Sequence, residues 1–335
     1  MRAITGWLAR ETGARDVHIT RLERLPGGAI QENWTLDATI VGGAWAGKHE
    51  WVLRTDAPSS VAASLTRSQE FAVLRVAHAN GVIAPQPLFL CSDDTVTGRP
   101  FFVMERISGI AAGHLLTRDP QVASHAEELA ERLGANLARL HAIAPPQPEL
   151  DSVLPAPKSN HALATVAEYR AYLDTLNDAH PVLEWALRWC EIRAPTNGGV
   201  ALIHRDYRTG NYMVDAGRLT GVLDWEFAGW GDPREDLGWF TARCWRFTRP
   251  DLEAGGIARS EPFLRGYQAA SGRNIARSDL EYWQVMAHIR WAIIALQQAQ
   301  RHFAGGERSL ELALTGRIVH ELEYEALAII AKAKQ

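Results

Sequence analysis

A chain of 335 residues, 47% of them hydrophobic, is long enough for about two domains with a substantial core. Its formal charge of −4 and its lack of any run of five basic residues exclude a broad nucleic-acid footprint. Cys91, Cys190 and Cys244 lie too far apart for a zinc-ligand pattern, and no uncharged stretch reaches the roughly 18 residues of a membrane span, so a cytoplasmic protein with reduced thiols is expected.

Charge interrupts the apolar residues of Met1–Glu11 too early for a signal peptide. Alternation then predicts a strand over Val17–Leu25, a turn at Pro26-Gly27-Gly28-Ala29, and a second strand through Trp34, Leu36, Ala38 and Ile40. The N–H groups around Gly27 and Gly28 are placed to face phosphates, although the same tripeptide also makes an ordinary turn. Glu50–Arg54 reads as an apolar strand ending in a cation, and the planar fork of Arg54 suits bidentate contact with phosphate oxygens. Lys48 stands at the far end of that strand and is not taken as the phosphate ligand. Helical periodicity runs from Ser59 to Asn80 and puts Glu70, Val73, Leu74 and Ala77 on one face. An acid on an apolar face needs a partner; Arg54 is the candidate, with a solvated position at the edge of the stripe as the alternative. Strands are expected near Leu88–Cys91 and Pro100–Ile107, the latter reading Phe101-Phe102-Val103-Met104-Glu105-Arg106.

Further on, Leu129, Leu133, Leu137 and Leu140 mark a helix within Ala123–His141, and more helices are expected around 165–178, 181–193, 233–247, 261–272, 278–303 and 308–332. Between them three short strands, Gly199–Ile203, Tyr212–Val214 and Arg218–Leu223, bracket the segment His204-Arg205-Asp206-Tyr207-Arg208-Thr209-Gly210-Asn211. Asp206 is placed to accept the proton of an attacking hydroxyl. Asn211 and Asp224 supply the hard oxygen ligands that Mg²⁺ prefers. Arg208 adds a cation near the transferring phosphoryl group, where charge develops. His204 is expected to brace the loop, and Asp232 with Pro233 to open the next helix as N-cap and N1, with Asp236 as a further support.

These motifs resemble the kinase-like phosphotransferases, and the run Asp224-Trp225-Glu226 followed by Gly231-Asp232-Pro233-Arg234-Glu235-Asp236-Leu237 is similar to aminoglycoside and choline kinase relatives rather than to protein kinases. The resemblance implies an α+β, two-lobed protein-kinase-like fold: an N-terminal antiparallel sheet plus helix in a nucleotide-binding lobe, 1–107, and a mainly helical catalytic and substrate-binding lobe, 108–335. It implies ATP, with GTP as a substitute, together with Mg²⁺, an adenine hinge at Met104, Glu105 and Arg106, and a phosphate-holding cation at the position of Arg54, where Lys is usual but some members also read Val-Leu-Arg. Glu70 would position Arg54. His141 resembles a structural histidine at the end of a core helix. The acceptor is expected to be a small-molecule hydroxyl, with neither nucleic acid nor membrane as partner and the oligomeric state left open.

Acidic and basic residues nearly balance over 230–335, so a pocket for polycationic aminoglycosides is not expected. Arg243, Arg246, Arg249, Arg290 and Arg301 lie among Trp239, Trp245, Phe247, Trp283 and Trp291, which suits an acceptor with an anionic group or a flat apolar body, or else describes a core with solvated arginines. Related domains occur beside acyl-CoA dehydrogenases, which makes a hydroxyacyl thioester one acceptor to test. Two rivals remain: a catalytically weak, nucleotide-binding regulator, motivated by Arg54 in the usual lysine's place, and a metal-dependent hydrolase built on His204 and the aspartates.

Overall fold

The computed structural model describes residues 1–25, 31–56, 64–196, 198–304 and 309–333. Five antiparallel strands open the chain: β1 (Asp16–Arg24), β2 (Gln31–Val41), β3 (Gly47–Asp56), β4 (Pro87–Cys91) and β5 (Phe101–Glu105), in the spatial order β1-β2-β3-β5-β4. Period-2 alternation sends Trp51 and Leu53 of β3 to one face and Val52 and Arg54 to the other. Helix α1 (Arg2–Thr12) covers the first face, where Trp7 meets Phe101 edge-on at 4.7 Å. Sequence reading gave these eleven residues no structure. They are an amphipathic helix whose Ile4, Trp7 and Leu8 complete the sheet core, closed by Gly13 in the left-handed region.

Helix α2 (Arg67–Ala79) packs on the second face. It begins at Arg67 rather than near Ser59, because Thr66 and Gln69 form a reciprocal capping box there. The Gly27–Gly28 turn and residues 57–63 lie outside the described residues. The Arg54 side of the sheet therefore faces α2 and, beyond it, the rest of the molecule.

After β5 the chain is mainly helical. Numbering only helices of eight residues or more, it forms α3 (Ala126–Leu140), α4 (His161–Leu173), α5 (Pro181–Ile192), α6 (Arg234–Thr241), α7 (Ser260–Ser271), α8 (Arg277–Phe303) and α9 (Val319–Lys332). Helices α3 and α7 touch through reciprocal glycines: a Cβ on Gly134 would lie 2.0 Å from the Phe263 carbonyl oxygen, and one on Gly266 2.0 Å from that of Glu131. That close approach seals the core under the site. A second core joins α4, α5, α8 and α9. The helix expected over 308–332 is broken, with Leu310–Thr315 and a 3₁₀ turn preceding α9. Among the described residues no helix is long and apolar enough to cross a membrane.

Two small ladders frame the central loop. Strand β6 (Ala201–Ile203) pairs with β9 (Gly229–Gly231), and β7 (Tyr212–Asp215) pairs with β8 (Arg218–Val222). β9 was not foreseen, because a Gly-Trp-Gly strand of three residues carries no alternation. Strand β8 ends at Val222, so Asp224 stands two residues beyond the strand, in a left-handed conformation with φ 65°.

Candidate active site

The His204–Asn211 loop is fastened from below by one buried carboxylate. Asp236 of α6 accepts the N–H groups of His204 and Arg205, each at 2.7 Å, while His141 at the end of α3 reaches it at 3.1 Å and Tyr267 at 2.9 Å. These contacts hold Arg205 at φ 63°, a strained conformation for a side-chain-bearing residue. His204, fully buried, accepts the Asp206 N–H at Nδ1 (3.2 Å) and so donates from Nε2 to the Leu223 carbonyl at 2.9 Å. Burial lowers its pKa, which keeps it neutral. It braces the loop against the segment that carries Asp224. Helix α6 starts at Arg234 rather than Pro233, with Asp232 Oδ1 accepting the Arg234 N–H at 2.9 Å.

Asp206 is 8% exposed and already well supplied with donors. Its Oδ1 accepts Arg208 Nε at 3.0 Å and the Trp239 indole N–H at 2.9 Å; its Oδ2 accepts the Asn211 amide, which also binds the Asp206 carbonyl at 3.0 Å. Arg208 is thus turned back onto Asp206 and lies over the Trp245 ring, 4.5 Å from its centroid, instead of projecting forward as the sequence suggested. With its nitrogen committed, Asn211 keeps its amide oxygen for another ligand.

Trp239 was missed as a member of the site, and so was its support. Arg290 of α8 lies 4.5 Å over the Trp239 ring, bonds the Arg205 carbonyl and stands 3.5 Å from Glu235. Burial would raise the Glu235 carboxyl, but His161 and the neighbouring arginines Arg205 and Arg290 hold it down at about 2. Several of the other arginines read as pocket candidates are consumed by the fold: Arg246 binds the Thr241 and Pro250 carbonyls, and Arg249 reaches that of Thr117 at 3.4 Å.

From above comes Arg54. Its Nε and Nη2 grip Glu70 of α2 at 3.0 Å each, Nη2 also reaches Asp224 Oδ1 at 2.7 Å, and Nη1 makes a weak 3.4 Å contact with Asn33. Glu70, 2% exposed, is shared with Arg67, which sits 2.9 Å from Asp56. The partner expected for Glu70 is therefore present, together with a second arginine that no sequence signal marked. Burial opposes the charges of Arg54 and Asp224, yet each carboxylate raises the Arg54 pKa and the guanidinium lowers that of Asp224. Asp224 remains one-third exposed (33%).

At the junction of sheet and helices, the N–H groups of Glu105 and Arg106 are engaged by the Gln86 (2.9 Å) and Glu50 (3.2 Å) carbonyls, and the Arg106 side chain pairs with Asp37 and Glu50. Met104 lies within the β3–β5 ladder. Among the described residues the next donor along, the Ile107 N–H, has no partner in the chain. Of the predicted residues, Asp206, Arg208, Asn211, Asp224, Arg54 and Glu70 are brought together; Met104, Glu105 and Arg106 line the junction; Gly27 and Gly28 cannot be placed among the described residues.

Comparison with known proteins bears on the fold and the family. Over its whole length the fold is shared with a putative aminoglycoside phosphotransferase from Ralstonia eutropha, at 19% identity and a TM-score of 0.77, covering 99% of this chain and 98% of that one. A ternary complex of aminoglycoside phosphotransferase APH(4)-Ia with AMP-PNP and hygromycin B superposes with a TM-score of 0.61 at 16% identity, each chain covered to 99%. A choline/ethanolamine kinase family protein from Mesorhizobium loti gives 0.57 at 18% identity, with 92% of each chain covered. Among curated proteins, acyl-CoA dehydrogenase family member 11 of Homo sapiens is 26% identical over 299 residues, and family member 10 of Mus musculus is 26% identical over 207. The match to member 11 takes in 84% of this chain but 37% of that protein, so the chain spans well under half of its curated relative. The profile of the Phosphotransferase enzyme family matches residues 21–279, from within β1 to the first turn of α8 and across the whole loop just described, and the chain belongs to that family.

Proposed function

We propose that the protein is a nucleotide-dependent, Mg²⁺-requiring phosphotransferase that moves a γ-phosphoryl group to the hydroxyl of a small molecule. The observation that carries this reading is the meeting of Asp206, Asn211 and Asp224 with the Arg54–Glu70 pair, contributed by segments up to 170 residues apart. In this reading 1–107 is the nucleotide lobe and 108–335 the catalytic lobe.

The donor set suits Mg²⁺. Asn211 offers a neutral amide oxygen and Asp224 a carboxylate that is partly exposed, a pair of hard ligands that leaves room for water and phosphate oxygens. When bound with the nucleotide, the ion supplies charge neutralisation at the phosphoryl oxygens. Arg54 stays locked to Glu70 and turns its weakly engaged Nη1 to phosphate. At Asp206, Oδ1 is filled by Arg208 and Trp239, so the lone pair left on Oδ2 receives the acceptor hydroxyl and takes its proton. Arg208 thereby orients the base. The purine edge meets the Ile107 N–H and the carbonyls of the junction, an arrangement open to ATP and GTP.

The acceptor is not a typical aminoglycoside, since acidic and basic residues nearly balance over 230–335. The likeness to acyl-CoA dehydrogenase family members directs attention to hydroxyacyl thioesters. The test is Mg²⁺-dependent nucleotide consumption with a panel of hydroxyacyl thioesters, choline-like alcohols, sugars and aminoglycosides. Asp206→Ala is expected to lower acceptor-stimulated turnover by about 10²–10⁴ while nucleotide still binds. Unchanged turnover in that variant refutes the role of Asp206; nucleotide binding without turnover across the panel favours the regulator.

A further inference from the structure

Glu226 has no part in the chemistry just outlined, yet it is 3% exposed and makes three contacts across the lobes. Its Oε2 accepts the Gln31 side-chain amide and the Ser64 hydroxyl, each at 2.9 Å, and its backbone carbonyl accepts the Leu65 N–H at 2.7 Å. Gln31 opens β2. Ser64 and Leu65 lead into the Thr66 cap of α2, the helix that carries Arg67 and Glu70. A single residue, two beyond Asp224, thus fastens both N-terminal segments that flank the cleft.

We propose that Glu226 is a positioning residue: it sets the height of the start of β2 and of α2 above Asp224, and so governs how the nucleotide's phosphates are held. The proposal rests on the phosphotransferase reading. Its argument is the cost of the arrangement. A buried carboxylate held by two neutral donors, with no arginine on it, is an expensive way to tie two lobes; an aliphatic side chain of that size would serve stability better. Gln31 adds to that cost, because its Oε1 is buried without a partner while its nitrogen reaches Glu226. Two unfavourable groups are kept where they fix the register between the loop of Asp224 and the start of β2. An interior selected for packing alone would hold neither.

The test uses the whole chain and four variants. Gln31→Glu sets a carboxylate against a carboxylate; Glu226→Gln added to it restores a donor–acceptor pair with the roles exchanged; Glu226→Gln alone and Ser64→Ala weaken the tether without adding charge. Gln31→Glu is expected to speed amide exchange over 31–41 and 64–79 in the nucleotide-free protein, to weaken ADP binding by calorimetry about tenfold, and to raise the nucleotide KM by a similar factor. At saturating nucleotide, kcat should fall less than about threefold and the acceptor KM should not move. The exchanged pair is expected to recover ADP affinity to within about twofold, and Ser64→Ala to lose about threefold. If wild-type protein binds ADP and neither Gln31→Glu nor Ser64→Ala changes its affinity, or if exchange rises with no effect on nucleotide, Glu226 is a structural tie and the proposal is overturned. Failure of wild-type protein to bind ADP or ATP overturns the phosphotransferase reading, and amide exchange then still reports whether the tether exists.

Discussion

The two ends of the cleft are built on different physics. At the Arg54 end, Asp56, Arg67, Glu70, Arg54 and Asp224 form an alternating chain of charge assembled from the sheet, α2 and the distant loop after β8. At the Asp206 end, the carboxylate is held by an indole, a guanidinium stacked on another indole, and an amide, with Trp239, Trp245 and Trp291 packed together behind it. Charge pairs of the first kind fail abruptly when one member is lost, because the rest stay buried and uncompensated. The second kind should degrade in steps, since ring packing survives the loss of one polar atom.

Removing one link from the charged end is the strongest test of that contrast. Arg54→Met leaves Glu70 to Arg67 alone and Asp224 without a cation, and is expected to cost about 3–5 kcal/mol of stability by denaturant unfolding. A loss below about 1 kcal/mol would show that the chain of charge contributes little net. Next in size is a pH effect behind the aromatic wall. His288 of α8 is fully buried, donates from Nδ1 to the Gln284 carbonyl at 2.7 Å, and is pushed down by burial to about 4. Between pH 4 and 6.5 the unfolded chain binds the extra proton, so stability is full above 6.5 and falls as the pH drops towards 4, by on the order of 3 kcal/mol from this residue. Urea midpoints that decline in wild type but stay flatter in His288→Gln over that window would bear this out; parallel curves would refute it.

Smaller still is the loss of a single donor at the base. Trp239→Phe keeps an aromatic ring under Arg290 but removes the N–H to Asp206, so kcat should drop about tenfold, near 1.4 kcal/mol, while the smaller ring leaves a cavity beside Trp245 that lowers the melting temperature. A loss matching that of Asp206→Ala would mean that the aromatic end is as brittle as the charged one. The smallest effect is expected at Arg277, which pairs with Glu281 on the exposed start of α8; Arg277→Ala should leave the urea midpoint where it is, and a clear shift would overturn the premise that burial makes the difference.

What could be read from sequence follows the same division. Asp206, Asn211 and Asp224 announce themselves because one short stretch holds all three at fixed spacing. Arg54 and Glu70 were legible because a strand end and a helix face each left a charge in need of a partner. Trp239 and Arg290 were not, since they reach the loop from 33 and 85 positions away through helix packing, and an aromatic-rich helix looks the same whether or not one indole touches a carboxylate. Arg67 looked like any polar residue inside the helix expected over Ser59–Asn80, and Glu226 like punctuation after Asp224. Helix α1 escaped because its apolar residues are few and interleaved with charge. Its burial is evident only once the sheet is there to receive it.

Arg205 has one further consequence, for how this loop tolerates change. Its left-handed backbone is a conformation that glycine adopts without penalty, and here the geometry is imposed by Asp236 from one side and Arg290 from the other. Position 205 is therefore open to glycine in a way its neighbours are not: the guanidinium contact with the Trp230 carbonyl at 3.1 Å would be forfeited, and a relaxed backbone gained in return. A lineage that made that exchange would no longer need Arg290 to hold the backbone at 205, although Arg290 would still be kept by Trp239 and Glu235.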